Sequence, residues 1–165
     1  MKFYLMRHGP AEDRADSGLD GDRALSAAGR DRVRAVAKRL LDIEEAPTYI
    51  VTSPLARSVQ TAEIVAIASK LGARGGTVEV RRELSPGAGA EAVNLVRQTA
   101  LDGGKRVLFV GHEPDLTALA TTLLGGFHRT FDKAMVVGMQ MPAEGGQARL
   151  RFVLDPKTLA LESPS

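Results

Sequence analysis

Four side chains that could bind and attack a phosphoryl group each follow a short apolar segment of the sequence. They are Arg7, His8, Arg57 and His112. A guanidinium presents paired N–H donors that match phosphate oxygens, so two arginines at one site favour a phosphate ligand more than two lysines would. A neutral imidazole can attack phosphorus and carry the phosphoryl group in a covalent intermediate. If these residues meet in the fold, they have the chemistry of a phosphoryl-transfer site.

The apolar segments that precede them have the pattern of buried, parallel strands. Residues 3–6, 49–51 and 107–110 are rich in β-branched or aromatic side chains, and each segment ends at a small residue or a turn before a helical pattern begins. Open α/β folds place ligands at the carboxyl ends of such strands. If the three strands are parallel neighbours, their carboxyl ends bring the two arginines and the two histidines together.

Strands and helices alternate along most of the chain, which indicates a mostly parallel sheet covered on both faces. Ser26 is placed to cap the first helix, and residues 135–141 and 148–154 have the pattern of an antiparallel hairpin. The predicted helices are residues 27–42, 54–71, 90–101 and 115–124, and the other predicted strands are residues 48–52, 77–80 and 106–110. The expected fold class is α/β, a three-layer α/β/α sandwich with a mostly parallel central sheet and a C-terminal antiparallel hairpin, in a single domain over residues 1–165.

Five short motifs follow one another along the first 120 residues of the chain. They are Arg7-His8-Gly9, residues 23–29 (RALSAAG), residues 53–62 (SPLARSVQTA), residues 83–86 (ELSP) and residues 111–114 (GHEP). In this order they resemble the histidine phosphatase superfamily, also called the phosphoglycerate mutase-like superfamily, and most closely its short SixA-type phosphohistidine phosphatase branch. The tripeptide alone recurs by chance, so the resemblance rests on the ordered set. It implies a phosphatase that works through a phosphohistidine intermediate.

Residue chemistry and this resemblance together suggest roles for four side chains. Arg7 and Arg57 neutralise the phosphoryl oxygens, and His8 attacks phosphorus to form a phosphohistidine that water then hydrolyses. His112 matches the family's second histidine and is expected to donate a hydrogen bond to a phosphoryl oxygen. His8 must be neutral to attack, and partial burial beside arginines is expected to lower its pKa below the usual value of about 6.5.

Glu83 is the fifth candidate catalytic residue. The resemblance implies that a glutamate near this position acts as general acid toward the leaving group in the family's mutases and broad phosphatases, and Glu83 aligns with it. A phosphoramidate has a nitrogen leaving group, which can be protonated without a strong protein acid. On that alternative, Glu83 is a surface carboxylate.

Composition and patterning exclude several classes of protein. The chain has no cysteine, which excludes disulfides, a thiolate nucleophile and thiolate metal ligands. A net charge of +2 with 4% aromatic residues argues against a surface that binds nucleic acid. No apolar segment approaches the length of about 20 residues that crosses a bilayer, so we expect no membrane partner and a cytoplasmic location.

Neither a cofactor nor a metal is expected. The carboxylates between residues 12 and 22 do not have EF-hand spacing and are predicted to form a solvated loop at the rim of the pocket. Residues 87–92 fit the dinucleotide pattern G-x-G-x-x-[GA], but Ser85 and Pro86 separate them from the preceding strand. The tight strand-to-helix turn of that motif is therefore missing. The predicted activity is metal-independent.

The chain length leaves little sequence for loops that close over a pocket. The longest unassigned loops are residues 10–25 and 125–134, and the second has no assigned role. An open pocket suits a phosphorylated side chain, so the favoured function is hydrolysis of phosphohistidine on a signalling or phosphotransfer protein, with inorganic phosphate as product. The alternatives are a small-molecule phosphomonoesterase of the same fold and, in another class, a non-catalytic phosphate-binding interaction module. A mutase is disfavoured, because it needs a closed pocket that excludes water.

Overall fold

The computed structural model describes residues 1–164, and a seven-stranded sheet runs through them. The strands are β1 (Lys2–Arg7), β2 (Tyr49–Thr52), β3 (Thr77–Val80), β4 (Val107–Gly111), β5 (Val136–Gln140), β6 (Arg149–Leu154) and β7 (Leu161–Glu162). Their order across the sheet is β3-β2-β4-β1-β5-β6-β7. The first four strands of that order are parallel, whereas β5, β6 and β7 each pair antiparallel with the strand before them. The predicted C-terminal hairpin is confirmed as β5 and β6.

Four α-helices cover the sheet. They are α1 (Ala27–Asp42), α2 (Ala56–Ala68), α3 (Ala90–Leu101) and α4 (Asp115–Leu124), with 3-10 helices at Asp20–Asp22, Gly72–Arg74 and Arg82–Leu84. Ser26 caps α1 as predicted, because its hydroxyl accepts a hydrogen bond of 3.0 Å from the backbone N–H of Gly29. Of the helices that the described residues form, none has the length and apolar character that crossing a membrane requires.

Alternate side chains of β1 enter two separate cores, one on each face of the sheet. Phe3 and Leu5 pack with the buried faces of α3 and α4, whereas Tyr4 and Met6 pack with those of α1 and α2. Successive side chains of a strand point to opposite faces, so a strand that is apolar on both faces belongs in a sheet with helices on both sides. The three-layer α/β/α class predicted from the sequence is therefore confirmed.

Helix α2 and strand β7 show the clearest differences from the prediction. The sequence predicts a helix over residues 54–71, but α2 begins at Ala56 and ends at Ala68. The chain leaves that helix because Lys70 adopts a left-handed backbone conformation, with φ of 55°. Strand β7 was not predicted; it is two residues long and pairs with the end of β6, so no periodic pattern marks it.

The register of the parallel strands places their carboxyl ends side by side. Arg7 at the end of β1 is opposite Gly111 at the end of β4, and Thr52 at the end of β2 is opposite Val110. A backbone hydrogen bond of 3.1 Å from the His8 N–H to the Gly111 oxygen extends this pairing by one residue. The expectation that the three strands are parallel neighbours is confirmed, and the candidate residues lie at one edge of the sheet.

Candidate active site

His8 is the first residue after β1, and its ring is held in one tautomer. Its Nδ1 lies 2.7 Å from the carbonyl oxygen of Gly9, which can only accept, so Nδ1 carries the proton. Arg57 donates from Nε to the other ring nitrogen, Nε2, at 3.3 Å. Because Nε2 accepts this bond, its lone pair faces the arginine and makes it the nucleophilic atom of the ring. The residue exposes 7% of its surface, so it remains in contact with solvent.

The backbone at Gly9 fixes the position of that carbonyl. Gly9 donates its N–H to the Thr61 hydroxyl oxygen at 3.0 Å, and Thr61 donates its hydroxyl to the Arg57 carbonyl at 2.7 Å. A Cβ added at Gly9 would lie 2.6 Å from Cγ2 of Val33 on α1. The glycine of the Arg-His-Gly motif therefore allows α1 to pack directly against the end of β1.

Arg57 lies in the first turn of α2 and is nearly buried, with 8% of its side chain exposed. Besides its bond to His8, it donates from Nη1 to the backbone oxygen of Asp20 at 3.0 Å and from Nη2 to the Asp20 carboxylate at 3.1 Å. A buried guanidinium needs such partners, because an unpaired charge away from water is unfavourable. His8 and Asp20 accept from different nitrogens of this guanidinium and together fix its orientation.

His112 follows β4 and faces His8, with the ring centroids 5.2 Å apart. Its Nε2 lies 2.7 Å from the Ser53 hydroxyl and 3.3 Å from the Ser58 hydroxyl. Its Nδ1 is buried and has no hydrogen-bond partner among the residues that the structure describes. Buried polar atoms without a partner are rare in native proteins. When the serines donate to Nε2, Nδ1 carries the proton and can donate it to a ligand oxygen.

Arg7 is the last residue of β1, and the segment before β5 holds its guanidinium. Its Nη1 donates to the carbonyl oxygen of Phe131 at 2.8 Å, and the Phe131 ring is buried. Ala134 donates its backbone N–H to the carbonyl oxygens of Arg7 and His8, both at 3.1 Å. The Arg7 Nε is buried without a partner in the described part of the chain. Residues 125–134, which had no assigned role, thus support Arg7 and leave one of its donors unused.

Both histidines are neutral at pH 7. Burial lowers the pKa of His8 to about 3, and the charges of the two arginines add to the lowering. The hydrogen bond to Gly9 raises this pKa, but its effect is smaller than that of burial. Burial and then the charge of Arg57 lower the pKa of His112 to about 4. The lowered pKa of His8 agrees with the expectation from the sequence, although burial contributes more than the arginines do.

Glu83 lies in the 3-10 helix Arg82–Leu84 and pairs with a residue outside the site. Arg81 donates from Nη2 to Oε1 of Glu83 at 2.6 Å, and this bond holds the pKa of Glu83 below its usual value. Glu83 and His112 line the same narrow cavity, yet within the described residues no hydrogen bond joins Glu83 to either histidine of the site. Its role as general acid stays a prediction.

The acidic residues 12–22 are mostly exposed, as expected, but Asp20 also contacts the site through Arg57. Hydrogen bonds from Arg23 and Arg57 hold the pKa of Asp20 below its usual value. The sequence does not predict this contact, because Asp20 and Arg57 are 37 positions apart and no motif joins them. Across residues 1–164, no three His, Asp or Glu side chains are grouped so that they could hold a metal ion.

Three hydroxyl residues also contact the site, although the sequence motifs alone indicate no role for them. Ser53 and Ser58 contact His112, and Thr61 contacts Gly9. All three belong to the 53–62 motif. Residues three or four positions apart share a helix face, so Ser58 and Thr61 on α2 were recognisable as neighbours on the face that carries Arg57.

The sequence matches a known protein family and a relative of similar length. The family model described as histidine phosphatase superfamily (branch 1) matches residues 3–86. An uncharacterized protein of Picosynechococcus sp. is 39% identical over 169 residues, which cover 99% of this chain and 97% of that protein. The family match therefore includes Arg7, His8 and Arg57, and the relative's similarity extends over nearly the whole chain.

Solved phosphatase structures share the fold. The structure of the protein histidine phosphatase SixA complexed with tungstate has a TM-score of 0.87 and 25% sequence identity, covering 97% of this chain and 100% of that chain. A mycobacterial glucosyl-3-phosphoglycerate phosphatase, solved with VO3, has a TM-score of 0.71 and 21% identity, covering 90% of this chain and 96% of that chain. At that identity the second structure shows the fold alone.

Proposed function

This chain belongs to the histidine phosphatase superfamily, and we propose that it hydrolyses phosphohistidine on a partner protein. The family and the phosphatases of the same fold support a hydrolase that acts on a phosphorylated substrate. The observation that carries the proposal is the hydrogen bonding of His8, whose Nδ1 donates to the Gly9 carbonyl while Nε2 accepts from Arg57. A neutral imidazole therefore lies beside a guanidinium, a group suited to binding phosphate oxygens, which supports His8 as nucleophile.

His8 is the proposed nucleophile of the first step. Its Nε2 lone pair attacks phosphorus while the bond from phosphorus to the leaving nitrogen breaks, and that nitrogen keeps the bonding pair and takes a proton from solvent. The Gly9 carbonyl stabilises the positive charge that the ring then carries. In the second step water attacks phosphorus, its proton returns to solvent, the bond to Nε2 breaks and inorganic phosphate leaves. His8 is then neutral again.

Arg7, Arg57 and His112 are the proposed ligands of the phosphoryl oxygens. Before His8 attacks, the Nε–H of Arg57 must turn from Nε2 to an oxygen, because one lone pair cannot serve both. The unpartnered Arg7 Nε and His112 Nδ1 are buried donors for which a phosphoryl oxygen is a suitable acceptor. Donors placed in this way offset the negative charge of the transition state. Since two guanidinium groups supply the positive charge, we propose that the reaction needs no metal.

Two observations favour a phosphohistidine on a protein as the substrate. The SixA structure that matches this chain is that of a protein histidine phosphatase. In addition, Arg81 holds Glu83 ionised, so Glu83 is a poor proton donor at pH 7. Departure of a nitrogen leaving group depends less on a protein proton donor than departure of an alkoxide does, because nitrogen is more basic than an ester oxygen.

A small-molecule phosphomonoesterase is the second candidate. The fold is shared with a glucosyl-3-phosphoglycerate phosphatase, and Glu83 lines the cavity that reaches His112. Its carboxyl group could protonate an alkoxide there once its bond to Arg81 is broken. A non-catalytic phosphate-binding module is disfavoured, because the nucleophile and the bond that fixes its tautomer are both in place.

Phosphate release from a protein phosphorylated on histidine tests the proposal. We expect the wild-type protein to release phosphate in the presence of EDTA, and His8→Ala to be slower by at least about 1000-fold because it lacks the nucleophile. The matched control is His128→Ala, which removes an exposed histidine outside the five motifs and should keep the wild-type rate. Labelled phosphate trapped on the wild-type protein by an alkaline quench should be absent from His8→Ala.

Other results would contradict separate parts of the proposal. Turnover of small phosphomonoesters alone would support the second candidate instead. Binding of phosphate without turnover of any phosphorylated substrate would identify a binding module. A rate that EDTA abolishes and added metal restores would overturn metal independence.

A further inference from the structure

The Asp20 carboxylate pairs with Arg57, one of the two arginines proposed to bind a phosphoryl group. Arg57 donates to the Asp20 carboxylate at 3.1 Å and to the Asp20 backbone oxygen at 3.0 Å. Asp20 is the one carboxylate that pairs with Arg57 in the part of the chain that the structure describes. The charge of Asp20 also reaches His112, whose pKa it raises against the larger effects of burial and Arg57. The carboxylate therefore acts on two of the groups proposed to bind phosphoryl oxygens.

A phosphoryl group bound at this guanidinium would meet the Asp20 carboxylate there. Both anions bind through the N–H groups of an arginine, and two anions at such short range repel each other. Asp20 is the partner with more freedom to move away, since 65% of its side chain is exposed, whereas 8% of the Arg57 side chain is exposed. Because it is already largely hydrated, the Asp20 carboxylate can turn toward solvent when a phosphoryl group binds, and the exposed ion pair that it gives up is a weak one.

The segment around Asp20 can accommodate the displaced carboxylate. Arg23 donates from Nη1 to Oδ1 of Asp20 at 2.9 Å, and the Nε of Arg23 is held by the Glu12 backbone oxygen at 2.8 Å. Asp20 and Arg23 also line an open depression of about 290 Å³. The carboxylate thus keeps a cationic partner and has room to move after it leaves Arg57.

We propose that Asp20 is an internal competitor of the phosphoryl group: it binds Arg57 in the free protein, is displaced by the ligand, and returns to Arg57 as inorganic phosphate leaves. Its presence weakens the binding of phosphorylated ligands and of the phosphate product alike. The inference rests on the proposed function only in placing the phosphoryl group at Arg57, and its test in binding needs no turnover.

Binding of inorganic phosphate to the Asp20→Asn variant tests this competition. Asparagine keeps the size of the side chain and removes its charge, so we expect calorimetry to show phosphate binding that is about three- to tenfold tighter than in the wild-type protein. In turnover, the KM and the product-inhibition constant of phosphate should fall by the same factor, and kcat should not rise. The matched control is Asp22→Asn, since Asp22 is in the same 3-10 helix but hydrogen bonds to Ser17.

Each outcome decides for or against the competition. Weaker phosphate binding in Asp20→Asn would show that Asp20 positions Arg57 for the ligand, and unchanged binding would show that the contact does not compete; either overturns the inference. Asp20→Ser, with its melting temperature compared to that of the wild-type protein, separates a folding defect from an effect on binding. Tighter phosphate binding without turnover of any substrate would leave the competition standing and remove the proposed function. Turnover with unchanged phosphate binding would leave the proposed function standing and remove the competition.

Discussion

At the scale of single residues, each candidate catalytic group has a neighbour that sets its protonation or orientation. The Gly9 carbonyl keeps the proton of His8 on Nδ1, and the Ser53 hydroxyl orients the ring of His112. Such partners decide which ring nitrogen has a lone pair and which has a proton. Arg81 has the same kind of effect on Glu83, because their ion pair favours the ionised carboxylate.

Replacement of Glu83 by glutamine tests whether the proton of that residue is used. Because Arg81 holds the carboxylate ionised, we expect Glu83→Gln to change kcat/KM for a phosphohistidine protein by less than about threefold at pH 7, well below the usual contribution of a general acid. The measurement is phosphate release under conditions of low substrate, where the rate reports kcat/KM. Glu91→Gln is a suitable control, since Glu91 lines the neighbouring cleft with Glu83 but not the cavity at His112.

A loss of about 100-fold or more in Glu83→Gln would contradict this expectation. It would mean that substrate binding separates Glu83 from Arg81 and that Glu83 is the general acid. A loss confined to alkyl phosphomonoesters would assign that role for oxygen leaving groups only.

The residue types of the site were predictable from the sequence, whereas the partners between distant segments were not. Arg7, His8, Arg57 and His112 each follow a recognisable strand pattern, and the register of the sheet brings them together. Asp20 is in an exposed acidic segment whose composition predicts only a solvated loop. Its pairing with Arg57 depends on how that segment lies across the N-terminal end of α2, and no local pattern encodes this.

At the scale of secondary structure, the close approach of α1 to the end of β1 holds the Arg-His-Gly turn in place. The backbone of Gly29 in the first turn of α1 packs on the carbonyl of Pro10, and Ser26 donates its N–H to the same carbonyl at 3.1 Å. A Cβ added at Gly29 would lie 1.9 Å from the Pro10 oxygen. Helix and turn can therefore remain in contact only if position 29 has no side chain.

We expect Gly29→Ala to lower the free energy of unfolding by about 2 kcal/mol or more. This loss would occur although alanine is about 1 kcal/mol more favourable than glycine inside a helix. The overlap is with backbone, so the helix or the turn must shift, and we also expect slower phosphate release. Urea denaturation measures the stability. Gly72→Ala is the control, because nothing lies within 4 Å of a Cβ added at Gly72. Equal stability of Gly29→Ala and the wild-type protein would show that the turn moves to accommodate the added methyl group without loss of stability.

Local signals explain which elements could be predicted. Ser26 caps the start of α1, and Gly125 ends α4 in a left-handed conformation. Both residue types are typical of these positions, and the predicted bounds agree with them. The end of α2 could not be predicted, because Lys70 adopts a left-handed conformation that its residue type does not favour. Strand β7 exists only through its pairing with β6, so it depends on the finished sheet.

At the scale of the whole molecule, the neutral histidines link the active site to stability in acid. Burial lowers the pKa values of His8 and His112 to about 3 and about 4, from 6.5 for a free side chain. Burial opposes ionisation of Glu45, yet hydrogen bonds from Arg151 and Tyr4 lower its pKa to about 2. All three groups bind protons more weakly in the folded protein than in the unfolded chain.

This difference in proton binding predicts how stability changes with pH. Between pH 6.5 and about 4 the unfolded chain takes up protons on both histidines while the folded protein does not, so the free energy of unfolding falls as the pH falls. Each histidine contributes at most about 1.4 kcal/mol per pH unit, and its full contribution is present above pH 6.5. Below about pH 4.5, protonation of Glu45 in the unfolded chain adds a loss of the same sign.

The variant His8→Asn isolates the part of this effect that belongs to the nucleophile. Asparagine does not titrate, so urea denaturation at pH 7, 6, 5 and 4 should give a slope that is shallower than that of the wild-type protein by up to about 1.4 kcal/mol per pH unit below pH 6. Above pH 7 the two slopes should coincide, because the imidazole is then neutral in both the folded and the unfolded chain. A slope in acid that the substitution leaves unchanged would mean that folded His8 binds its proton as readily as the free side chain does. The site would then hold an imidazolium below pH 6, and the lone pair on which nucleophilic attack depends would be lost in that range.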